Sequence, residues 1–297
     1  MANSQAARKT GFRVFAITAL ALIAFAGNSI LCRMALKDGA IDAASFTAVR
    51  LAAGAIALLV ILFSVNRNIP PGTKGSWLSA AMLFLYAICF SFAYLDLDTG
   101  IGALILFGTV QATMIGGALY AGNRPSPVEW VGWLLAVAGF VFLLSPGLSA
   151  PPWSGAILMA LAGFGWGIYS LRGHKERSAL AGTTFNFLRS VPFLLIVVPF
   201  GFRDLHLSDE GIILAVLSGA VTSGVGYAIW YAALGSLSSM QAAMVQLVVP
   251  VLAAAGGTIL LSEVVSARLV VAGMLILGGI CTAVFGKEKL RNVTGPG

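Results

Sequence analysis

The chain has 297 residues, 59% of them hydrophobic and only 10% charged, with a mean hydropathy of +0.94. That excludes an ordinary soluble globular domain, in which about a quarter of residues are charged. The net charge of +7 does not point to a nucleic-acid binder, because the basic residues are strung along the connections between apolar stretches. Cys32, Cys89 and Cys281 each sit alone within an apolar stretch, so buried thiols are expected and no metal or other cofactor.

A membrane-crossing helix needs about 20 apolar residues. Ten such spans are predicted in chain order: 14–36, 43–64, 75–95, 100–121, 127–145, 153–172, 181–201, 209–234, 238–261 and 266–286. The first follows a short tail, 1–13. It is too long for the apolar core of a signal peptide and no small-residue cleavage site follows it, so it is expected to be retained. The connections at 95–100 and 234–238 are very short. The fifth and sixth spans are separated by a breaker-rich, uncharged linker at 146–152, and a tail at 287–297 closes the chain. His174 and His206 read as solvated loop residues.

Basic residues divide unevenly over this arrangement. Arg8, Lys9, Arg13, Arg67, Lys74, Arg124, Arg172, Lys175, Arg177, Lys287, Lys289 and Arg291 fall on one side, and only Lys37, Arg203 and Arg268 on the other. The positive-inside rule then puts both termini in the cytoplasm and the linker outside.

A repeat underlies the order. Phe46-Thr47-Ala48-Val49-Arg50 recurs as Phe185-Asn186-Phe187-Leu188-Arg189, and Arg33 and Arg172 lie the same 139 positions apart as Arg50 and Arg189. At an offset of 140, Ala93, Ala103 and Gly116-Gly117 match Ala233, Ala243 and Gly256-Gly257. Two units, 14–145 and 153–286, each with an odd number of spans, must be inverted relative to one another. Inverted repeats are the hallmark of alternating-access transporters, whose site lies near the midplane between the halves.

The candidate site residues follow from depth and side-chain chemistry. Tyr86, Phe90 and Tyr94 are four apart and share a face of the third span; Trp166 and Tyr169 pair in the sixth, and Tyr227, Trp230 and Tyr231 in the eighth. A mid-span tyrosine facing lipid would leave its hydroxyl unpartnered, so these rings are expected to line a cavity. Asn28, Gln111, Gln241 and Gln246 add amides; Asn28, Gln111 and Gln246 are candidate cavity residues, with interhelical hydrogen bonding the alternative. Gly163, Gly165 and Gly167 crowd the sixth span, and Ser218, Gly219, Thr222, Ser223 and Gly226 the eighth, where close helix packing is expected. Pro192 and Pro250 are hinge candidates. Arg33 and Arg172, near span ends, are expected to snorkel to headgroups. Arg50 and Arg189 lie about 10 Å inside their spans and are gate candidates, one toward each side, with a substrate carboxylate as the other possible partner.

Two five-helix halves, a short third-to-fourth link and a small-residue run closing near Ser262-Glu263 resemble the drug/metabolite transporter superfamily, EamA type. The likeness spans about residues 12–287 and is greatest to the bacterial amino-acid exporters with aromatic substrates. It implies an all-α integral membrane protein: ten helices in a basket around a central cavity, with the fifth and tenth peripheral. Helices 1, 3, 4, 6, 8 and 9 would line the cavity and helices 2 and 7 would be its movable walls. The chain departs from internal symmetry where Val110 matches Pro250, and where Gly122-Asn123-Arg124-Pro125 lacks an acid to match Glu263.

The expected function is export of amino acids, aromatic or otherwise apolar, and related small metabolites across the bacterial inner membrane. All eleven acids fall in loops or near span ends, so no carboxylate-based ion coupling is expected. A sugar-phosphate or nucleotide-sugar carrier would need more cavity cations. An intramembrane enzyme would need a nucleophile–base pair, an acid/base dyad or metal-ligand spacing within the spans, and none is legible. The expected partners are an amino-acid substrate and the bilayer, with no nucleic acid and a monomer as the assembly.

Overall fold

The structure, a computed structural model, describes residues 2–65, 75–122, 125–147, 150–173, 178–196, 205–237 and 239–294, the side chains of 2–11, 239–241, 243 and 284–294 excepted. The helices run α1 (Ala2–Lys37), α2 (Ala43–Val65), α3 (Trp77–Asp96), α4 (Thr99–Tyr120), α5 (Pro127–Leu144), α6 (Trp153–Gly173), α7 (Ala179–Ser190), α8 (Asp209–Leu234), α9 (Ser239–Gln246), α10 (Val249–Leu261) and α11 (Ala267–Thr294). Among the described residues nine helical stretches are long and apolar enough to cross a membrane, Met244–Leu261 counting as one, and Ala267–Ala283 forms a shorter tenth. Ile56, Phe63, Leu134 and Ile259 are each more than half exposed, which suits a chain solvated by lipid rather than water.

Short polar residues start these helices. The Ser126 hydroxyl accepts from Glu129 N–H while Glu129 returns a bond to Ser126 N–H, a capping box ahead of α5. Ser76, Ser178 and Ser208 cap α3, α7 and α8 in the simpler way.

Three passes depart from continuous α-helix, two of them at the hinge-candidate prolines. The seventh span, expected as helix to 201, leaves the α conformation at Ser190 and continues as a 3-10 turn over Val191–Ile196; the rest of that stretch and Arg203 lie outside the described residues. Pro192 accounts for it, having no N–H to offer and crowding the carbonyl four residues back. The ninth pass breaks at Leu247-Val248 between α9 and α10, because Pro250 cannot bond the Gln246 carbonyl. The eighth pass carries a π segment, Leu217–Val225, through its middle. Of the basic residues used for orientation, Arg67, Lys74, Arg124, Lys175 and Arg177 also lie outside the described residues.

The two ends of the bundle can be told apart by their connections. One, the linker end, carries the connections at 38–42, 97–98 and 262–266 and the flanks of the linker at 145–147 and 150–152; the other is the terminal end. Glycines set the closest approaches. A Cβ on Gly219 of α8 would sit 2.2 Å from the Arg50 carbonyl oxygen, so α2 and the π segment touch backbone to backbone. α5 and α11 pack chiefly on each other through Gly132, Gly139 and Gly279; a Cβ on Gly132 would lie 2.5 Å from the Gly279 carbonyl oxygen.

Candidate functional site

Aromatic rings from α1, α3, α6, α7 and α8 meet at mid-depth. Trp166 stacks on Tyr227 at 5.1 Å and on Tyr169 at 5.4 Å, and its ring lies 5.1 Å from that of Tyr86. Tyr86 continues to Phe90 at 5.3 Å and Phe90 to Tyr94 at 4.8 Å. The four-residue spacing along α3 is what strings the last three rings on one face. At the centre is a cavity of about 20 Å³, room for about one water molecule.

Five of the residues expected at a cavity line this one: Asn28, Tyr86, Phe90, Trp166 and Tyr227. Asn28 is its polar node. Its Nδ2 donates to the Tyr86 hydroxyl at 3.0 Å, its Oδ1 accepts from Ser218 Oγ at 2.7 Å, and Thr222 Oγ1 lies 3.3 Å from the same oxygen. The π segment presents Ser218 and Thr222 to α1 at once, tying α1, α3 and α8 together around an amide.

Other expected residues lie outside the cavity lining. Tyr94 is wholly buried and donates to the Thr99 carbonyl at 3.3 Å. Tyr169 donates to Thr183 of α7 at 3.0 Å, and Thr183 to Tyr231 at 2.9 Å, a relay joining α6, α7 and α8. Trp230 packs edge-on against Phe25 at 5.6 Å. Gln111 is buried in α4, and Gln246 bonds back to the Ala242 carbonyl of its own helix. The side chain of Gln241 is outside the described residues.

Sequence reasoning missed part of the wall. Phe25, Leu106 and Phe107 line the cavity but look like any lipid-facing apolar residue, and Ser29 has no spacing partner to flag it. Thr222 and Ser223 had drawn notice only as small packing residues. Ser223 Oγ is buried without a hydrogen-bond partner.

The arginines at matching repeat positions have different surroundings. Arg50 is 2% exposed and its guanidinium faces the Phe90 ring at 4.8 Å and the Tyr86 ring at 5.1 Å, with Nη1 unbonded. Arg189 lies 5.7 Å from the Trp77 ring at the start of α3, half-buried, also with an unbonded Nη1. It is on the terminal-end side of the aromatic cluster rather than within it.

Arg33 corrects the expectation of a snorkelling side chain. It is 8% exposed; Nη1 donates to the Tyr94 and Leu95 carbonyls at 2.9 Å, Nη2 meets Asp98 and Nε meets Glu263, both at 3.3 Å. Glu263 lies in a loop, as its sequence position says, yet its side chain is only 7% exposed. Ser262, held in the left-handed conformation at φ +55°, turns that loop inward. The other Glu263 oxygen accepts from Thr99 N–H at 2.9 Å and so caps α4 across 164 residues, while Asp98, the local capping position, is spent on Arg33. Arg172, by contrast, is exposed at the terminal end, where it donates to Ser79 at 3.1 Å and Ser76 at 3.3 Å at the start of α3.

Comparison with known proteins fits this architecture. Residues 153–285 match the EamA-like transporter family. An uncharacterized protein of Pseudomonas aeruginosa is 50% identical over 90% of this chain and 93% of its own length. A probable amino-acid metabolite efflux pump of Salmonella typhimurium is 27% identical over 69% of this chain and 74% of its own length. A solved crystal structure shares the fold with a TM-score of 0.62, covering 92% of this chain and 98% of that one at 18% identity. The chain is therefore a multi-pass membrane protein of the EamA-like transporter family, within the drug/metabolite transporter superfamily.

Proposed function

We propose that this protein exports amino acids with aromatic or other apolar side chains, and related small metabolites, across the bacterial inner membrane. The observation that carries the reading is the mid-depth chamber of stacked rings around a single amide, which suits an apolar side chain on a polar stem. The printed name of the Salmonella typhimurium relative supports the amino-acid class. At about 20 Å³ the chamber is far smaller than any amino acid, so the rings must part for a substrate to enter. That need supports alternating access, with the halves 14–145 and 153–286 rocking as inverted repeats, the linker end outward and both termini cytoplasmic. The breaks at Pro192 and Pro250 would serve as hinges. The Arg33–Asp98–Glu263 cluster would close the outer end, and Arg189 against Trp77 would act toward the inner one. Glu263 is buried but held by Arg33 near the end of the bundle, so it does not supply a mid-membrane relay, and transport is taken to run without carboxylate-based ion coupling.

A proteoliposome panel of radiolabelled amino acids, with and without imposed ion gradients, tests this. Aromatic amino acids should move fastest, at rates indifferent to the pH gradient. Strict proton dependence would reject the coupling scheme, and no movement of any amino acid would reject the substrate class.

A further inference from the structure

We infer that Arg50 is the anchor for a substrate carboxylate, and that the chamber selects aryl carboxylates with little regard for an amino group. The inference rests on the export reading above and narrows its substrate class.

Arg50 is fully surrounded and stands directly behind Tyr86 and Phe90, two rings that wall the cavity. A guanidinium can be held by ring faces, but only as a partial substitute for an anion. Nη1 remains unbonded in a place where an unmet charged donor is costly. Ser223 Oγ, on the α8 side of the same cavity, is also buried without a partner. One unmatched cationic donor and one unmatched hydroxyl beside an aromatic chamber suit the two oxygens of a carboxylate. The aryl group would replace the stacking that Tyr86 and Phe90 now give each other, and the carboxylate would replace the ring faces now held against the guanidinium.

Among the described residues no carboxylate is offered to an ammonium, which would have only ring faces and hydroxyl oxygens to meet it. Asn28 Oδ1 already accepts from Ser218, and Asp98 and Glu263 are committed to Arg33 at the linker end. Among the described residues the chamber therefore presents a cation without an anion beside it. A substrate with a net negative charge fits it better than a zwitterion. Such a substrate would leave a cell with a negative interior down the membrane potential, which supplies a driving force without a proton or sodium partner.

The full-length protein in proteoliposomes held at potassium diffusion potentials, with protein-free liposomes as the background, gives the test. Three labelled probes suffice: L-phenylalanine, N-acetyl-L-phenylalanine and L-phenylalaninamide. The wild type should carry the first two, the acetylated probe at least as fast. The amide, which lacks the carboxylate, should move at least about tenfold more slowly. The acetylated anion should accumulate on the positive side about tenfold per about 60 mV, while phenylalanine distributes evenly. Arg50→Gln should lose both carboxylates, and Arg50→Lys should recover part of the flux. If the amide moves as fast as phenylalanine, or if the acetylated probe ignores the potential, the inference is overturned while export of aromatic amino acids stands. Both of those arms use the wild type alone. If no probe moves above background, the export reading falls and takes the inference with it.

Discussion

The two ends of the bundle are held together by different chemistry. At the linker end Arg33, Asp98 and Glu263 bring three ionised groups together, and the start of α4 packs on α10, where a Cβ on Gly100 would sit 2.7 Å from that of Ala254. Ile41 and Leu207 add a bridge between the turns that precede α2 and α8. At the terminal end Arg172 meets two serine hydroxyls and Asn186 accepts from Ser76 N–H at 2.8 Å. There the last turns of α4 lie open: Leu119 is 38% exposed and Tyr120 97%. Charges near the mouth of a pathway have a particular advantage. Arg33 and Glu263, both shielded, need each other, while the Asp98 side chain is 48% exposed; once water reaches the pair each ion is hydrated separately. An ionic seal can thus be firm when shut without being prohibitive to open. Hydroxyl contacts at the other end make a lighter seal.

That contrast can be broken by substitution. Glu263→Ala leaves Arg33 without its most buried counter-ion and α4 without its cap, and should cost about 3–5 kcal/mol in denaturant unfolding of the detergent-solubilised protein; a loss under about 1 kcal/mol would dissolve the distinction between the ends. Gly219→Ala forces a methyl against the Arg50 carbonyl and should cost about 1–3 kcal/mol by the same measurement, locating rigidity in the α2–α8 contact between the ends. Arg172→Ala removes bonds to neutral hydroxyls from a partly exposed side chain and should cost about 0.5–1.5 kcal/mol. If it matched the loss from Glu263→Ala, the terminal end would be as firmly closed as the other. Gly116→Ala sits in open space on the last turns of α4 and should be neutral or stabilise by up to about 1 kcal/mol; a large loss there would mean that α4 is covered at the terminal end after all.

The helical passes were legible because lipid imposes a length and a composition on every one of them. The breaks at 97–98 and at Pro250 were legible for local reasons, as was the shared face of Tyr86, Phe90 and Tyr94. The Arg33–Glu263 pair was not, since 230 residues separate its members and each alone reads as a span-end charge. Ser262 hid the same fact, because nothing in a serine announces a left-handed turn. The π segment left only an indirect trace, a crowd of small residues at 218–226, which fits ordinary close packing equally well. Asn28 was singled out as an amide at depth, but its partners on α3 and α8 could be found only once the helices were assembled.

The π segment also gives α8 a measured tolerance in chain length. A π turn stores an extra residue that an α-helix would not accommodate. Deleting one residue between 217 and 225 would let the ladder relax to the α pattern with the turns on either side still in register. Deleting a second would turn everything beyond it by about 100°, and Tyr227 would swing away from Trp166, though neither residue had been altered. Along this stretch the count of residues sets the aim of the rings as firmly as their identities do.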